Sequence, residues 1–219
     1  MIRPSAVVHA VVVAGSLLVG ELDRTAVEGA DLLVAVDGGA DALARIGLVP
    51  SLLVGDLDSI SPGALADLRS RGVEVLALPT AKDETDTEAA LRVALERGAT
   101  RITVFNALGG PRLDHLLGNL LLLTAPWLAP VQVTLVDGLH KAFLVKGDGM
   151  VTGRPGDTVS LLPLTEAVQD VCTEGLLYPL RGGALLQGAT RGVSNEMTGK
   201  SARVTHGEGA LLLVHYRGR

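Results

Sequence analysis

The chain has 219 residues, 47% of them hydrophobic and 20% charged, enough to bury a substantial core in one large domain or two small ones. A formal net charge of −5, with no long Lys/Arg run, excludes the electrostatic footprint of a nucleic-acid or membrane-surface binder. The lone cysteine, Cys172, excludes an internal disulfide and fits a reducing, cytoplasmic setting.

The first apolar stretch, 6–19, resembles the core of a signal peptide, but its β-branched residues, His9 and the closing Gly15-Ser16 favour a buried first strand. No run reaches the roughly 18 apolar residues of a membrane span. Apolar runs at 7–14, 32–36, 52–54, 73–78, 102–105 and 131–136 alternate with helical patterns at 39–46, 61–71, 83–97 and 113–124. Ser61-Pro62 gives one helix a cap residue followed by proline in its first turn. Aromatic residues are only 2% of the chain, so the core must be Leu, Val and Ala, which suits helices packed on a buried sheet. The alternation predicts a parallel, Rossmann-like sheet with helices on both faces and ligand-binding loops along one rim.

Beyond residue 131 the rhythm changes. Asp137-Gly138 lies between two β-prone runs, a hairpin signal. Short β-prone pieces follow at 158–162, 167–173, 192–197, 202–204 and 210–216, with no amphipathic helix of useful length. This half is expected to be a small antiparallel β-sandwich. The predicted fold class is thus α/β followed by all-β, as an α/β domain at 1–128 and a β-sandwich at 129–219, with the strand at 131 assignable to either.

Four acidic motifs follow predicted strands of the first half: Asp37-Gly38-Gly39-Ala40-Asp41, Gly55-Asp56-Leu57-Asp58-Ser59, Lys82-Asp83-Glu84-Thr85-Asp86, and Gly109-Gly110-Pro111-Arg112-Leu113-Asp114-His115. Strands of one sheet lie about 4.8 Å apart, so these loops meet at one crevice. There the carboxylates can hold a hard cation, and the glycines and helix starts admit phosphate, with Lys82 and Arg112 adding positive charge. Such a mixture suits phosphoryl or nucleotidyl transfer. Each motif alone also has a plain structural reading: Asp-Gly-Gly is a common turn, 83–86 fits a helix first turn, and Arg112 with Asp114 fits a surface pair. Asp56 and Asp58 resist that reading, because a turn needs one acid and not two with a hydroxyl.

Gly199-Lys200-Ser201 imitates the end of a P-loop, but Ser194 stands where the motif requires glycine and a β-like run follows. A dinucleotide fingerprint is absent after the first strand, which argues against a dehydrogenase. Among the five histidines, His115 beside Asp114 at a helix start is the one placed for chemistry, as a base or as a phosphate hydrogen-bonder.

In this order, and joined by Gly175-Leu176-Leu177-Tyr178-Pro179-Leu180 and Gly192-Val193-Ser194-Asn195-Glu196, the motifs resemble those of the thiamine pyrophosphokinase family over about residues 14–214. The resemblance implies conversion of thiamine and ATP to thiamine diphosphate and AMP with Mg²⁺. It also implies a nucleotide-binding α/β domain, a thiamine-binding and dimerising β-sandwich, and a homodimer with the thiamine site at the subunit interface. Carried over by position, Asp56, Asp58 and Asp86 are catalytic and hold Mg²⁺ and the ATP phosphates. Asp37, Gly38, Gly39 and Asp41 line the nucleotide pocket, with Lys82, Asp83, Arg112 and His115 also on the nucleotide. Asp114, Ser194 and Asn195 face thiamine, and Tyr178 packs its ring on it. Tyr178 stands where some members carry tryptophan, and Pro111 separates Gly110 from Arg112 in a departure from the family's pattern. Either Asp58 or Asp86 would accept the proton of the thiamine hydroxyl. Trp127 lies outside the motifs and is expected to be a packing residue near the domain junction.

Three other readings explain part of the pattern. One, an aspartyl-phosphate phosphatase, would use a similar Asp-Leu-Asp but normally after the first strand, whereas here it follows the third. A metal-dependent glycosyltransferase would use Asp56-Leu57-Asp58 but leaves the other acidic motifs without a task. A nucleotide-sensing or thiamine-binding module would use the acids for Mg²⁺-ATP alone.

Overall fold

The computed structural model describes residues 8–15, 22 and 24–218. Residue 7 of the first expected strand and the apolar residues 16–19 lie outside the described residues. The chain divides into two units, the first running to Leu122 and taking in Trp127–Gly138, the second comprising Leu123–Pro126 and Leu139–Arg219.

The first unit has strands β1 (His9–Val13), β2 (Leu32–Val36), β3 (Leu52–Gly55), β4 (Glu74–Ala77), β5 (Arg101–Phe105) and β6 (Gln132–Asp137). Its helices are α1 (Arg24–Glu28), α2 (Gly39–Arg45), α3 (Pro62–Ser70), α4 (Asp86–Glu96) and α5 (Leu113–Leu122). Every strand pair is parallel, in the order β4-β3-β2-β1-β5-β6. The chain therefore builds outward from β1 to β4, then returns to place β5 on the other side of β1. The strand order reverses between β1 and β5, and in open α/β sheets the crevice at such a reversal is where ligands bind.

Apolar residues bury both faces of this sheet. Val11, Val13, Ala35 and Leu53 share one buried cluster with Ala40 and Leu43 of α2 and Leu68 of α3. By strand alternation Val12, Val34, Leu52 and Val54 turn to the opposite face, where α4 packs on β1, β2 and β3 through Ala89, Ala90, Leu91 and Ala94. Alanines on α4 let that helix approach closely. Leu43, Leu52, Leu53 and Leu91 are at most 1% exposed, and each contributes about 2 kcal/mol by leaving water. Arg92, on the outer side of α4, lays its guanidinium 4.3 Å from the ring centroid of Trp127, a cation–π contact that gives the tryptophan its packing role.

The helices differ in two main respects from the expectation. The helix predicted at 83–97 begins at Asp86, because Thr85 is extended and its hydroxyl accepts the Glu88 N–H at 3.2 Å as an N-cap. Residues 83–85 are consequently loop. Helix α1, at five residues, is too short to show a periodic signal. Strand β6 groups with the first unit, pairing in parallel with β5 from Arg101↔Gln132 to Phe105↔Val136.

The second unit contains β7 (His140–Val145), β8 (Asp148–Thr152), β9 (Thr158–Pro163), β10 (Ala167–Glu174), β11 (Arg181–Leu186), β12 (Asn195–Glu196), β13 (Ser201–Thr205) and β14 (Leu211–Tyr216). They form two antiparallel layers, β12-β9-β14-β7 and β11-β10-β13-β8. Their inward residues, among them Val145, Val159, Leu161, Leu211 and Leu213 from one layer and Val151, Val168, Val171, Leu185 and Val204 from the other, make one core. That is the expected sandwich. Strand β11 was not anticipated, since Gly182 and Gly183 dilute its β signal. Of the predicted strand at 192–197, Asn195–Glu196 is strand and Met197 forms an antiparallel bridge with Leu176, while residues 192–194 are turn and bend.

Candidate active site

A cleft of about 460 Å³ opens at the C-terminal ends of the first unit's strands, lined at the switch point by Ala14 after β1 and Asn106 after β5. Asp37 after β2, Asp56 and Asp58 after β3, Asp86 at the start of α4, and Arg112 and His115 at the start of α5 complete its polar wall. Four loops that are far apart in sequence thus meet, as the parallel sheet requires.

Asp37, Asp56 and Asp58 each place a carboxylate oxygen within 4.8 Å of the others. Asp37 is 7% exposed, and its Oδ1 accepts the Leu57 N–H at 3.0 Å. Burial, with the negative charges of Asp86, Asp56 and Asp58, outweighs that hydrogen bond and pushes its pKa up to about 6. The loop beyond is fixed by its own side chains, Asp56 Oδ1 accepting the Asp58 N–H at 3.1 Å and Asp58 Oδ1 accepting the Ser59 hydroxyl at 2.6 Å. Asp37, Leu57 and Asn106 all hold positive φ, at 43°, 67° and 60°. These are conformations that L-residues rarely adopt and that cluster at functional sites.

Asp86 is held differently. Its Oδ1 pairs with Lys82 Nζ at 3.0 Å, and the same ammonium donates to the Pro79 carbonyl at 3.1 Å. Burial works against the Lys82 charge, but the Asp86 hydrogen bond and the charges of Asp86, Asp56 and Asp37 leave its pKa raised. Lys82 does not line the cleft directly, and neither does the exposed Asp83. Arg112 meets Asp114 in a bidentate pair, Nε to Oδ1 at 2.9 Å and Nη2 to Oδ2 at 2.6 Å, on an exposed helix start. That hydrogen bond first of all holds the Asp114 carboxyl well below the usual range. Asp114 lies outside the cleft wall, while Arg112 and His115 are part of it.

Asp41 accepts both the backbone N–H and the hydroxyl of Ser61. It borders a second cleft of about 610 Å³ with Gly15, Gly38 and Ser59. Gly39 is a packing position, since a Cβ there would lie 1.9 Å from the Val13 carbonyl oxygen. Asn106 and Asn119 line the first cleft without having been anticipated. Asn106 donates from Nδ2 to the Ala14 carbonyl at 3.4 Å, and Asn119 donates to the Ala107 carbonyl at 2.9 Å. A signal existed for both: Asn106 directly follows β5 as Asp37 follows β2, and Asn119 lies four residues beyond His115 on α5.

In the second unit a groove of about 450 Å³ is bordered by Leu177, Tyr178, Arg191, Val193 and Asn195. Tyr178 is 67% exposed. Its backbone is clamped by Asn195, whose Oδ1 accepts the Tyr178 N–H at 3.0 Å while Nδ2 donates to the Tyr178 carbonyl at 2.7 Å. Ser194 is beside the groove at φ 61°, donating its N–H to Ser160 Oγ at 3.0 Å, but is not part of the lining. Arg191 is a groove residue that the sequence reading did not single out.

Two family models match the chain, the thiamin pyrophosphokinase catalytic domain over residues 24–135 and the thiamin pyrophosphokinase vitamin B1 binding domain over residues 150–211. The chain is 28% identical over 185 residues to the thiamine pyrophosphokinase of Bacillus subtilis (strain 168), covering 84% of this chain and 86% of that one. Its structure is similar to that of a Bacillus subtilis thiamine pyrophosphokinase, with a TM-score of 0.86 and 26% identity over 96% of this chain and 100% of the other. A thiamin pyrophosphokinase from Geobacillus thermodenitrificans matches with a TM-score of 0.83 and 30% identity, over 96% and 98% of the two chains. The two family models and these relatives make the protein a transferase of the kinase type. The chain belongs to the thiamine pyrophosphokinase family.

Proposed function

We propose that the protein transfers the diphosphoryl group of ATP to the hydroxyl of thiamine, giving thiamine diphosphate and AMP, with Mg²⁺ held in the acidic cleft. The observation that carries this reading is the convergence of Asp37, Asp56 and Asp58 within 4.8 Å at the C-terminal ends of β2 and β3, on the wall of the cleft. Three hard carboxylate oxygen donors suit Mg²⁺ and not a softer ion. Asp37, Asp56 and Asp58 would hold the metal, and Asp86, on the same cleft wall, would offer it a further oxygen. Bound there, Mg²⁺ spreads the negative charge that develops on the phosphates.

The chain's own residues do the positioning on which such transfers depend. Asp37 borders the nucleotide, Arg112 and His115 on the same cleft wall reach its phosphates, and Lys82 acts through its pair with Asp86. Asp58 or Asp86 takes the proton as the thiamine oxygen bonds to the β-phosphorus and AMP leaves. The Tyr178 ring stacks on the cationic heterocycle, with Asn195 holding it and Ser194 contributing a polar contact. A homodimer fits the exposed leucines at 113, 117 and 121, which lie along one face of α5. The lone cysteine suits a cytoplasmic enzyme. No helix among the described residues is long and apolar enough to cross a membrane.

Incubation with thiamine, ATP and Mg²⁺ tests the reading. AMP and thiamine diphosphate should form together, and AMP without thiamine dependence, or no AMP, overturns it. Asp56→Asn should remove most turnover while circular dichroism stays unchanged.

A further inference from the structure

A buried polar couple lies inside the second unit, away from the residues already assigned. His215, on β14, is 0% exposed, and its Nε2 is 2.9 Å from Oδ2 of Asp157, which is 5% exposed. The same Oδ2 accepts the Arg154 N–H at 2.9 Å. Burial alone would raise the Asp157 carboxyl, but the Arg154 N–H and the His215 hydrogen bond bring it below its ordinary value. His215 Nδ1 is buried with no partner among the described residues. The proton therefore belongs on Nε2, where it meets the carboxylate, since an N–H on Nδ1 would be left unsatisfied. Gly153 makes room for the couple: a Cβ there would lie 2.4 Å from Asp157 Oδ2 and 2.8 Å from His215 Nε2.

Such a pair is a costly way to fill a core, because apolar residues of similar volume are often as stable or more so. What it orders lies next to it. Asp157 closes the turn between β8 and β9, and the turn's backbone grips Met197 from both sides: the Asp157 carbonyl accepts the Met197 N–H at 2.8 Å, and the Gly156 N–H donates to the Met197 carbonyl at 2.9 Å. The residue before Met197, Glu196, accepts the Leu177 N–H at 2.8 Å. Asn195, one further back, clamps Tyr178. A continuous path of hydrogen bonds and adjacent residues thus leads from the couple to the groove.

We propose that Asp157 and His215 are positioning residues for the thiamine groove, fixing Met197 so that Asn195 and Glu196 hold Leu177 and Tyr178 in place. The inference rests on the reading of that groove as the vitamin site. The test compares His215→Leu, which removes the donor to Asp157, with His215→Gln, which keeps a nitrogen donor close to the Nε2 position, and with Asp157→Asn. For full-length His215→Leu and Asp157→Asn the KM for thiamine should rise roughly tenfold, the scale of a small misplacement at a binding group, with the KM for ATP unchanged. His215→Gln should restore the thiamine KM toward that of the parent. Amide hydrogen exchange at Leu177 and Tyr178 should quicken in the two disruptive variants and not in His215→Gln, a readout that needs no turnover. Should His215→Leu fail to fold, Asp157→Asn and His215→Gln decide alone. Unchanged exchange at Leu177 and Tyr178, or a lowered melting temperature with both KM values intact, overturns the proposal. Faster exchange in a protein whose parent does not use thiamine upholds the positioning and overturns the reading of the groove.

Discussion

The Asp37 carboxylate occupies the space that a side chain at position 55 would need: a Cβ on Gly55 would lie 1.9 Å from Asp37 Oδ1. Gly55 ends β3 with φ +150°, so the strand can stop against the acid and turn the Asp56–Asp58 loop toward it. The glycine and the aspartate come from different loops and make one device. Gly55→Ala is expected to push Asp37 out of the cluster, lowering kcat/KM by roughly 100-fold and stability by about 1–3 kcal/mol from the strained backbone. Steady-state kinetics and denaturant titration check both effects.

The raised pKa of Asp37, at about 6, has a definite sign for stability. Between about pH 4 and pH 6 the folded protein keeps a proton there that the unfolded chain has released. Without divalent cations the contribution of this group to stability is accordingly greatest below this window and falls as pH rises through it, by about 3 kcal/mol. Asp37→Asn, which keeps an acceptor for the Leu57 N–H, is expected to melt higher than the parent at pH 8 and about equally at pH 4. Melting curves across that range measure it.

A divalent cation should act in the opposite sense, because it favours the ionised carboxylates. Mg²⁺ is expected to raise the melting temperature more at pH 7.5 than at pH 5, and Asp56→Asn should abolish the increment. Scanning calorimetry with Mg²⁺ and with a chelator separates the cases.

The exposed Arg112–Asp114 pair should matter for binding and not for folding. Arg112→Ala is expected to leave the melting temperature unchanged and to raise the KM for ATP about tenfold, the scale of one lost charge-assisted contact. Arg112→Lys should recover little, since an ammonium cannot reproduce the bidentate fork. Initial rates at varied ATP decide.

Tyr178 gives the matching experiment on the other substrate. The residue is 67% exposed and its backbone is held by Asn195, so Tyr178→Ala should fold as the parent does. The KM for thiamine should rise roughly tenfold and that for ATP should not change, while Tyr178→Trp should bind thiamine at least as tightly. Titration of thiamine with each variant is the check.

Much of this architecture was visible in residue order alone. Continuous Val/Leu runs such as 32–36 and 52–54 mark buried parallel strands because both faces are covered, and the acids follow directly at Asp37 and Asp56. What stayed hidden depends on distance in space. Nothing local to Asp37 says that it lies beside Asp56 and Asp58 and is buried. Three of the positive-φ residues beside the two sites, Leu57, Asn106 and Ser194, are of ordinary type, so their conformations are imposed by packing and not announced by glycine. Strand β11 escaped notice for the reverse reason: its glycines look like a turn, and its extended form comes from pairing with β10.

The cation–π contact between Arg92 and Trp127 has a practical consequence. Trp127 is the chain's single tryptophan, and it belongs to the first unit, whereas Tyr178 belongs to the second. Indole emission is therefore a native optical probe of the α/β unit alone, and a guanidinium over the ring makes it sensitive to any loosening of α4, the helix that begins at Asp86. Followed alongside whole-chain circular dichroism, it would show without any label whether the two units unfold together or in turn.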